Sequence, residues 1–237
     1  MKQILYKADS RGYAKHEWLE TYHTFSFAGY HDSSRMNFGV LRVLNDDIID
    51  GGRGFGMHPH NNMEIITIPF EGALSHQDDM GNSKVIETND IQVMSAGTGV
   101  THSEVNESSN QQVKLFQIWI FPNKQNVMPR YDQINIDPSG SINKLQQILS
   151  PNPDDEGVWI HQDAWMFIGD FESGIQTDYK IRKPGNGVFL MSISGDVLVG
   201  DTLLNTKDAI GIYDTDQISI QAKSQAKFLI IEVPMSL

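Results

Sequence analysis

Apolar and polar residues alternate along most of this chain, in short runs separated by Gly, Asn and Asp. The runs are rich in Val, Ile and Phe, a composition that favours β-strands. The strands predicted in this way are MEIITI, SKVIET, DIQVMS, VKLFQIWIF, NGVFLMSIS, DVLVGD, AIGIYD, QISIQA and KFLIIEV. Many short strands punctuated by turn residues are typical of an all-β barrel or sandwich.

One segment has a helical pattern instead. Within residues 141–149, the side chains of Leu145, Ile148 and Leu149 fall on one face of an α-helix, and the following Pro-containing run ends the pattern. We therefore predict a short helix inside a polar connecting segment. This divides the chain into an N-terminal barrel, a connection and a C-terminal barrel, at residues 1–125, 126–160 and 161–237.

A weak internal repeat supports two similar halves. Gly72 aligns with Gly195 at an offset of 123 residues, and Asp90 aligns with Asp208 at an offset of 118 residues. The second copy thus lacks five residues in the intervening loop, where a deletion is easily tolerated. A duplicated β-barrel is the interpretation that this repeat favours.

Charge and composition narrow the function. The chain has 237 residues and a net charge of −12, with 18 basic against 30 acidic residues, which argues against direct binding to nucleic acid or to an anionic membrane. There is no apolar run long enough to cross a bilayer, and the first twenty residues are mixed and charged, unlike a signal peptide. We expect a cytoplasmic protein, and a monomer.

Two pairs of residues carry the candidate chemistry. His58 and His60 alternate on one strand and so project from the same face, with Glu64 in the same phase. Further along, His102 and Glu104 repeat the spacing after a glycine-containing turn. Two antiparallel strands could bring these pairs together around one metal ion. The spacing alone leaves open whether Glu64 or Glu104 supplies the carboxylate.

The chain contains no cysteine, so a metal would be held by nitrogen and oxygen ligands. Histidine and carboxylate ligands suit one divalent ion such as Fe(II), Mn, Ni, Cu, Co or Zn. Three or four protein ligands leave a coordination position open, as in catalytic sites. The remaining histidines have no such pattern, and we interpret His76 and His23 as structural.

Several motifs in the N-terminal half resemble the pirin family of the cupin superfamily, and especially its bacterial quercetin-cleaving members. In chain order these motifs are HTFSFA (23–28), FGVLRVLNDD (38–47), GFGMHPHNNMEI (54–65), EGALSHQDDMGN (71–82), MSAGTGVTHSE (94–104) and QIW (117–119). The resemblance implies an all-β bicupin, made of two double-stranded β-helix barrels with short helical connections. It also implies that Fe(II) is the metal and that only the N-terminal barrel holds it.

In that family the residues matching His58, His60, His102 and Glu104 are the iron ligands, which favours Glu104 over Glu64. Glu64 would then be an inward-facing group that orients a ligand or holds a water. The repeat is consistent with this, because its two offsets place no metal-binding side chain in the second half. The residues at the five matching positions are Ile181, Lys183, Gly187, Ile220 and Ala222.

The resemblance implies a dioxygenase that cleaves a flavonol such as quercetin with O2 and releases carbon monoxide. Glu104 or Glu64 would act as the general base. The alternative hypothesis is a regulatory protein whose metal controls binding to a protein partner, with incidental quercetinase activity. A third and weaker hypothesis is a different cupin enzyme.

Overall fold

The computed structural model describes residues 1–236. Within that range, no helix is long and apolar enough to cross a membrane. Two short 3-10 turns, Ala8–Ser10 and Pro138–Ser141, interrupt an otherwise β structure. The strands up to Asn135 are β1 (Lys2–Tyr6), β2 (Gly12–Lys15), β3 (Leu19–His23), β4 (Leu41–Ile49), β5 (Gly54–His60), β6 (Glu64–Glu71), β7 (Ala73–Asp78), β8 (Ser83–Glu87), β9 (Asp90–Ser95), β10 (Val100–Asn106), β11 (Val113–Ile120) and β12 (Arg130–Asn135).

The strands that follow are β13 (Leu145–Ser150), β14 (Val158–Trp159), β15 (Trp165–Phe171), β16 (Gln176–Lys180), β17 (Asn186–Ser194), β18 (Val197–Val199), β19 (Thr202–Leu204), β20 (Ala209–Tyr213), β21 (Gln217–Ala222) and β22 (Ala226–Pro234). The nine strands predicted from the hydrophobic pattern are all present. The all-β prediction is therefore confirmed.

The strands form two barrels of the same design, each made of a seven-stranded and a four-stranded sheet. In the first barrel the orders are β12-β9-β6-β11-β4-β3-β2 and β5-β10-β7-β8. In the second they are β1-β20-β17-β22-β15-β13-β14 and β16-β21-β18-β19. The order matches position by position, as the internal repeat predicted, and Gly72 and Gly195 occupy equivalent turns with φ values of 79° and 76°.

Strand pairing crosses the predicted boundaries at two places. The first strand, β1, pairs with β20 and so belongs to the second barrel. In the first barrel, β12 takes the equivalent place by pairing with β9. The first residues of the chain therefore complete the C-terminal barrel, and part of the predicted connection, residues 126–160, completes the N-terminal one.

The helix predicted over residues 141–149 is wrong. The 3-10 turn ends at Ser141, and residues from Leu145 onward form β13, which pairs with β15. The register shifts between Gln147 and Leu149, so this pair of strands contains a β-bulge. Ile148 and Leu149 are both fully buried despite being adjacent in sequence. The bulge allows these two adjacent side chains to be buried together. Adjacent apolar residues in the sequence therefore resembled one face of a helix.

An aromatic cluster joins the two barrels. Phe189 of the second barrel packs against Tyr6, Phe25 and Phe38, with ring centroids 5.2, 5.7 and 5.7 Å away. Phe25 and Phe38 precede β4, the strand that carries Asn45 and Asp47 into the first barrel. These rings belong to a larger buried apolar cluster, drawn from both barrels, that holds one barrel against the other.

We expect Phe189→Ala to lower the free energy of unfolding by about 3–5 kcal/mol, because it removes a fully buried ring and leaves a cavity. Chemical denaturation followed by tryptophan fluorescence measures this loss. The control is Leu203→Ala, whose side chain is exposed and whose effect should stay within about 0.5 kcal/mol. A loss below about 1 kcal/mol for Phe189→Ala would contradict the assignment of this ring to the core.

Candidate metal centre

Three histidines converge on one point inside the first barrel. On β5, His58 and His60 point inward, while Met57 and Pro59 at the alternate positions are exposed. Antiparallel pairing of β5 with β10 places His102 directly opposite His58. One ligand nitrogen from each of the three imidazoles lies within 4.8 Å of the other two. The strand pairing predicted from the two sequence pairs is therefore present.

The sequence of β5 explains this close approach. A Cβ atom at Gly54 would lie 2.1 Å from the carbonyl oxygen of Glu104, so only glycine allows β5 to lie this close to β10. His102 faces His58, but Glu104 faces Phe55, so β5 contains one extra residue between these pairs. This bulge reorients the strand next to the histidines, a common role of bulges at functional sites.

The nitrogen atoms of these histidines are arranged for metal binding. Nδ1 of His58 lies 2.8 Å from the carbonyl oxygen of Gly56, which makes it the donor and leaves Nε2 as a lone-pair ligand. Nε2 of His102 is buried and has no hydrogen-bond partner among residues 1–236. A buried nitrogen without a partner is costly unless a ligand satisfies it. A divalent metal fits this arrangement.

The imidazoles are also held neutral. Burial, with a smaller contribution from His58, lowers the pKa of His60 to about 4. Burial and the neighbouring rings of His58, His60 and His76 lower the pKa of His102 to about 2. Only a neutral imidazole has a lone pair to offer a metal. Both residues are therefore in the metal-binding state at neutral pH.

Glu104 is buried beside these histidines. Its Oε1 accepts hydrogen bonds from Nε2 of Gln117 at 2.6 Å and from Oγ1 of Thr67 at 3.3 Å, which leaves Oε2 as the remaining acceptor. Its nearest ligand-type neighbours are His102 and His76, with all three ligand atoms within 4.8 Å of one another. Burial raises the pKa of Glu104 to about 7, although both hydrogen bonds oppose this rise.

The structure does not bring Glu64 to the histidines. Its carboxylate accepts a hydrogen bond from Oγ of Ser95 at 2.7 Å and lies near Arg130, on the opposite face of β6 from the cavity that Ile65 lines. The predicted phase is broken because Asn62 adopts a φ of 47° in the turn between β5 and β6. The inward orientation predicted for Glu64 is therefore wrong.

His76 has a larger place in the site than its sequence context indicated. It is fully buried, and its Nδ1 lies 3.5 Å from Nδ1 of His102. Its Nε2 lies 3.4 Å from Oδ2 of Asp78, a buried carboxylate that also accepts hydrogen bonds from the backbone of Met80 and Asn82. Pairing of β7 with β10 creates this contact. In the sequence, only the turn-forming segment DMGN (79–82), directly after Asp78, indicates that the backbone near His76 is ordered.

These contacts assign a consistent set of protons. Asp78 accepts from Nε2 of His76, so Nδ1 of His76 is the acceptor for Nδ1 of His102. His102 then carries its proton on Nδ1 and its lone pair on Nε2, the atom that faces the other histidines. Histidine ligands are commonly oriented by a carboxylate in this way.

The histidines lie in a cavity of about 170 Å³ between the two sheets of the first barrel. Aromatic and apolar side chains form much of its wall, and the remaining wall is polar. An adjoining cavity of about 590 Å³ shares four of these residues. The shared residues are Phe27, Asn45, Asp47 and Phe55. His23, which borders the second cavity, is hydrogen-bonded to Asn45 at 2.9 Å, as expected of a structural histidine.

The second barrel is closed by apolar side chains. Ile220 and Ala222, which the sequence repeat aligns with His102 and Glu104, are fully buried in its core. In the described part of the chain, both clusters of three or more potential metal ligands lie in the first barrel.

Comparisons with known proteins agree with this architecture. Residues 6–120 match the family model described as Pirin, and residues 147–233 match the model described as Quercetinase C-terminal cupin domain. The chain is 41% identical over 234 residues to a quercetin 2,3-dioxygenase of Escherichia coli strain K12, covering 97% of this chain and 98% of that protein. It is 37% identical over 225 residues to a pirin-like protein of Caulobacter vibrioides, covering 94% and 96% of the two chains.

Solved structures match the fold over its full length. The crystal structure of the bacterial pirin YhhW from Escherichia coli in complex with nickel(II) has 39% sequence identity and a TM-score of 0.93, covering 98% of this chain and 99% of that one. A structure of GK1651 from Geobacillus kaustophilus has 17% identity and a TM-score of 0.81, covering 99% and 98%, and is similar in fold. The predicted bicupin is confirmed, and this chain belongs to the pirin family of the cupin superfamily.

Proposed function

We propose that this chain is a metal-dependent dioxygenase that cleaves a flavonol such as quercetin with O2. The observation that carries the proposal is the convergence of His58, His60 and His102, with Glu104 beside them, on a partly aromatic cavity. Similarity to a bacterial quercetin 2,3-dioxygenase over nearly the whole chain supports it.

We infer that His58, His60, His102 and Glu104 hold one divalent metal, for which Fe(II) is our assignment. All four side chains line the same cavity, and three supply neutral nitrogen while the fourth supplies oxygen. This donor set is compatible with Fe(II) and with Ni(II), the ion in the similar pirin structure.

A divalent metal bound by these side chains would polarise the hydroxyl and carbonyl oxygens of the substrate and lower the pKa of the hydroxyl. Oε2 of Glu104, once it detaches from the metal, would accept the proton of that hydroxyl, since Gln117 and Thr67 occupy Oε1. In the metal-free protein burial raises the pKa of Glu104 to about 7, and a bound divalent ion would favour the ionised form, which is the form that accepts a proton.

The walls of the cavity suit a planar aromatic ring. Phe27, Phe55, Ile65 and Trp119 surround the histidines and would exclude water from the reacting atoms. Trp119 packs edge-to-face on His60 at 4.9 Å and on Phe27 at 5.3 Å, so these rings hold one another in place. The same contacts would orient a substrate ring relative to the metal.

We expect His58→Ala combined with His60→Ala to abolish quercetin turnover, because both imidazoles are metal ligands in this proposal. The protein is loaded separately with Fe(II), Mn, Ni, Cu, Co or Zn, and loss of the flavonol absorbance and uptake of O2 are recorded. His31→Ala is the matched control, since this exposed histidine lies outside the cavity. The dioxygenase proposal would be overturned if none of the metal-loaded wild-type samples turned over quercetin faster than the double variant.

Elemental analysis of the same samples tests the metal ligands separately. Wild type and His31→Ala should bind about one metal ion per chain, and the double variant far less. One metal per chain without turnover would instead favour the regulatory alternative, in which the metal controls binding to a protein partner. Equal metal content in wild type and double variant would contradict the ligand assignment.

We expect His76→Phe to weaken metal binding by about 10–100-fold, since His102 then loses the acceptor that fixes its proton on Nδ1. Competition with a chromophoric chelator gives the dissociation constant for Ni(II). His23→Phe is a suitable control, because this buried histidine contacts Asn45 and not a proposed ligand. Unchanged Ni(II) affinity in His76→Phe would show that His76 does not position His102.

The pKa of Glu104 gives a prediction for the metal-free protein. Its folded-state pKa of about 7 lies above the ordinary value of 4.5, so its contribution to stability is full below pH 4.5 and disappears as pH rises through 7. Between about pH 5 and pH 8 the free energy of unfolding of the wild type should therefore fall relative to that of Glu104→Gln. Buried histidines act oppositely below about pH 6.5 and affect both proteins alike. Parallel pH profiles for the two proteins would contradict the raised pKa.

A further inference from the structure

The motif FGVLRVLNDD carries two adjacent aspartates with opposite surroundings. Asp46 faces out of the first barrel and is paired with Arg11 at 3.1 Å and with Lys207 at 3.0 Å. Asp47, the next residue on β4, faces into the barrel and lines both cavities. Alternation along a strand produces this difference, so the two residues have separate roles.

Asp47 has no ionic partner in its buried position. Its side chain is 4% exposed, and Oδ1 has no hydrogen-bond partner within residues 1–236. Thr21 lies opposite Asp47 on β3, and its hydroxyl only partly offsets the effect of burial, which raises the pKa of the carboxyl group. A buried carboxyl group with so little compensation destabilises a fold. Such violations of packing rules are expected at functional sites.

Gln117 presents a second acceptor to the same cavity. Its Nε2 donates to Glu104 and Thr67, while Oε1 is buried without a partner in the described chain. Asn45 lies between these side chains, opposite Gln117 on β11 and two residues before Asp47 on β4. Two buried oxygen atoms therefore face the metal cavity with unused capacity to bind a donor.

The cavity volumes show where a ligand would extend. The metal cavity, about 170 Å³, is smaller than the roughly 300 Å³ at which ligand pockets usually begin. The adjoining cavity has about 590 Å³ and is lined by the aromatic rings of Tyr13, Trp18 and Tyr30. A multi-ring ligand at the metal site would pass Asp47 on its way into this second cavity.

We propose that Asp47 and Gln117 bind a ring hydroxyl of a planar polyphenol, whose chelating oxygens face the histidines and whose far ring enters the aromatic cavity. The inference rests on the proposed function and extends it to substrate choice. A site built to bind a hydroxyl group discriminates against an analogue that lacks it, because its polar groups are then left unpaired. Asp47 is thus a specificity-determining residue.

The test compares two ligands on Ni(II)-loaded protein under nitrogen. Quercetin and 3-hydroxyflavone share the chelating hydroxyl and carbonyl, but 3-hydroxyflavone lacks the other ring hydroxyls. Wild type should bind quercetin at least about tenfold more tightly, the range expected for leaving buried polar atoms unpaired. Asp47→Leu should remove most of this ratio and leave the affinity for 3-hydroxyflavone within about twofold. Asp47→Asn, which keeps an acceptor oxygen, should retain part of it.

Asp46→Asn is the control, because it changes a carboxylate one residue away on the outer face. It should leave the ligand ratio unchanged and lower the melting temperature through loss of its ion pairs. Asp47→Leu should instead keep or raise the melting temperature, since it removes a poorly compensated buried carboxyl. If leucine prevents folding, Asp47→Ala serves the same comparison.

The outcomes separate this inference from the proposed function. If wild type binds quercetin and 3-hydroxyflavone equally well, water alone fills the hydrogen-bonding capacity of Asp47 and Gln117. This result would overturn the inference even if quercetin is turned over. An unchanged ratio in Asp47→Leu with a lower melting temperature would assign Asp47 a structural role. If no metal-loaded form of the protein consumes O2, the proposed function fails. Loss of the quercetin preference in Asp47→Leu would still support a polyphenol-binding site.

Discussion

The pairing of β5 with β10 is the constraint on which the candidate metal centre depends. It sets His58 against His102, and the glycine at position 54 lets the strands approach closely enough for the imidazoles to converge. The same strand, β10, is paired on its other edge with β7, which brings His76 and Asp78 behind His102. β10 therefore carries His102 into the candidate metal centre and connects it to His76, which lies beside it.

The two barrels share a framework but differ in what fills them. Polar side chains of β4, β10 and β11 surround the cavity of the first barrel, whereas the interior of the second is packed with aliphatic and aromatic residues. The second barrel also encloses one carboxylate, that of Glu232, which accepts hydrogen bonds from Tyr179, Asn186 and the backbone of Arg182 and Lys183. In the first barrel, burial lowers the pKa of His102 and raises the pKa of Asp47 to about 7, and these groups face a cavity. The candidate metal ligands thus lie in one of two copies of the same design.

Much of this was predictable because alternation along a strand depends only on local spacing. The strands and the inward projection of His58 and His60 follow from it directly. Prediction failed where the regular alternation is interrupted. Asn62 has a left-handed backbone conformation, so Glu64 no longer points to the same side as His58 and His60. A bulge in β13 gave an apolar spacing that resembles a helix. The contact of His76 with His102 depends on which strands become neighbours, and a single sequence does not specify that pairing.

The position of β1 has a consequence for how the chain is made. Because Lys2 pairs with Tyr213, β1 must wait while about 200 further residues are synthesised before its partner strand exists. Until then its backbone donors and acceptors form an unprotected edge, the kind of surface that invites association between nascent chains. The second barrel can therefore close only after β20 has been synthesised, and its closure includes residues made long before.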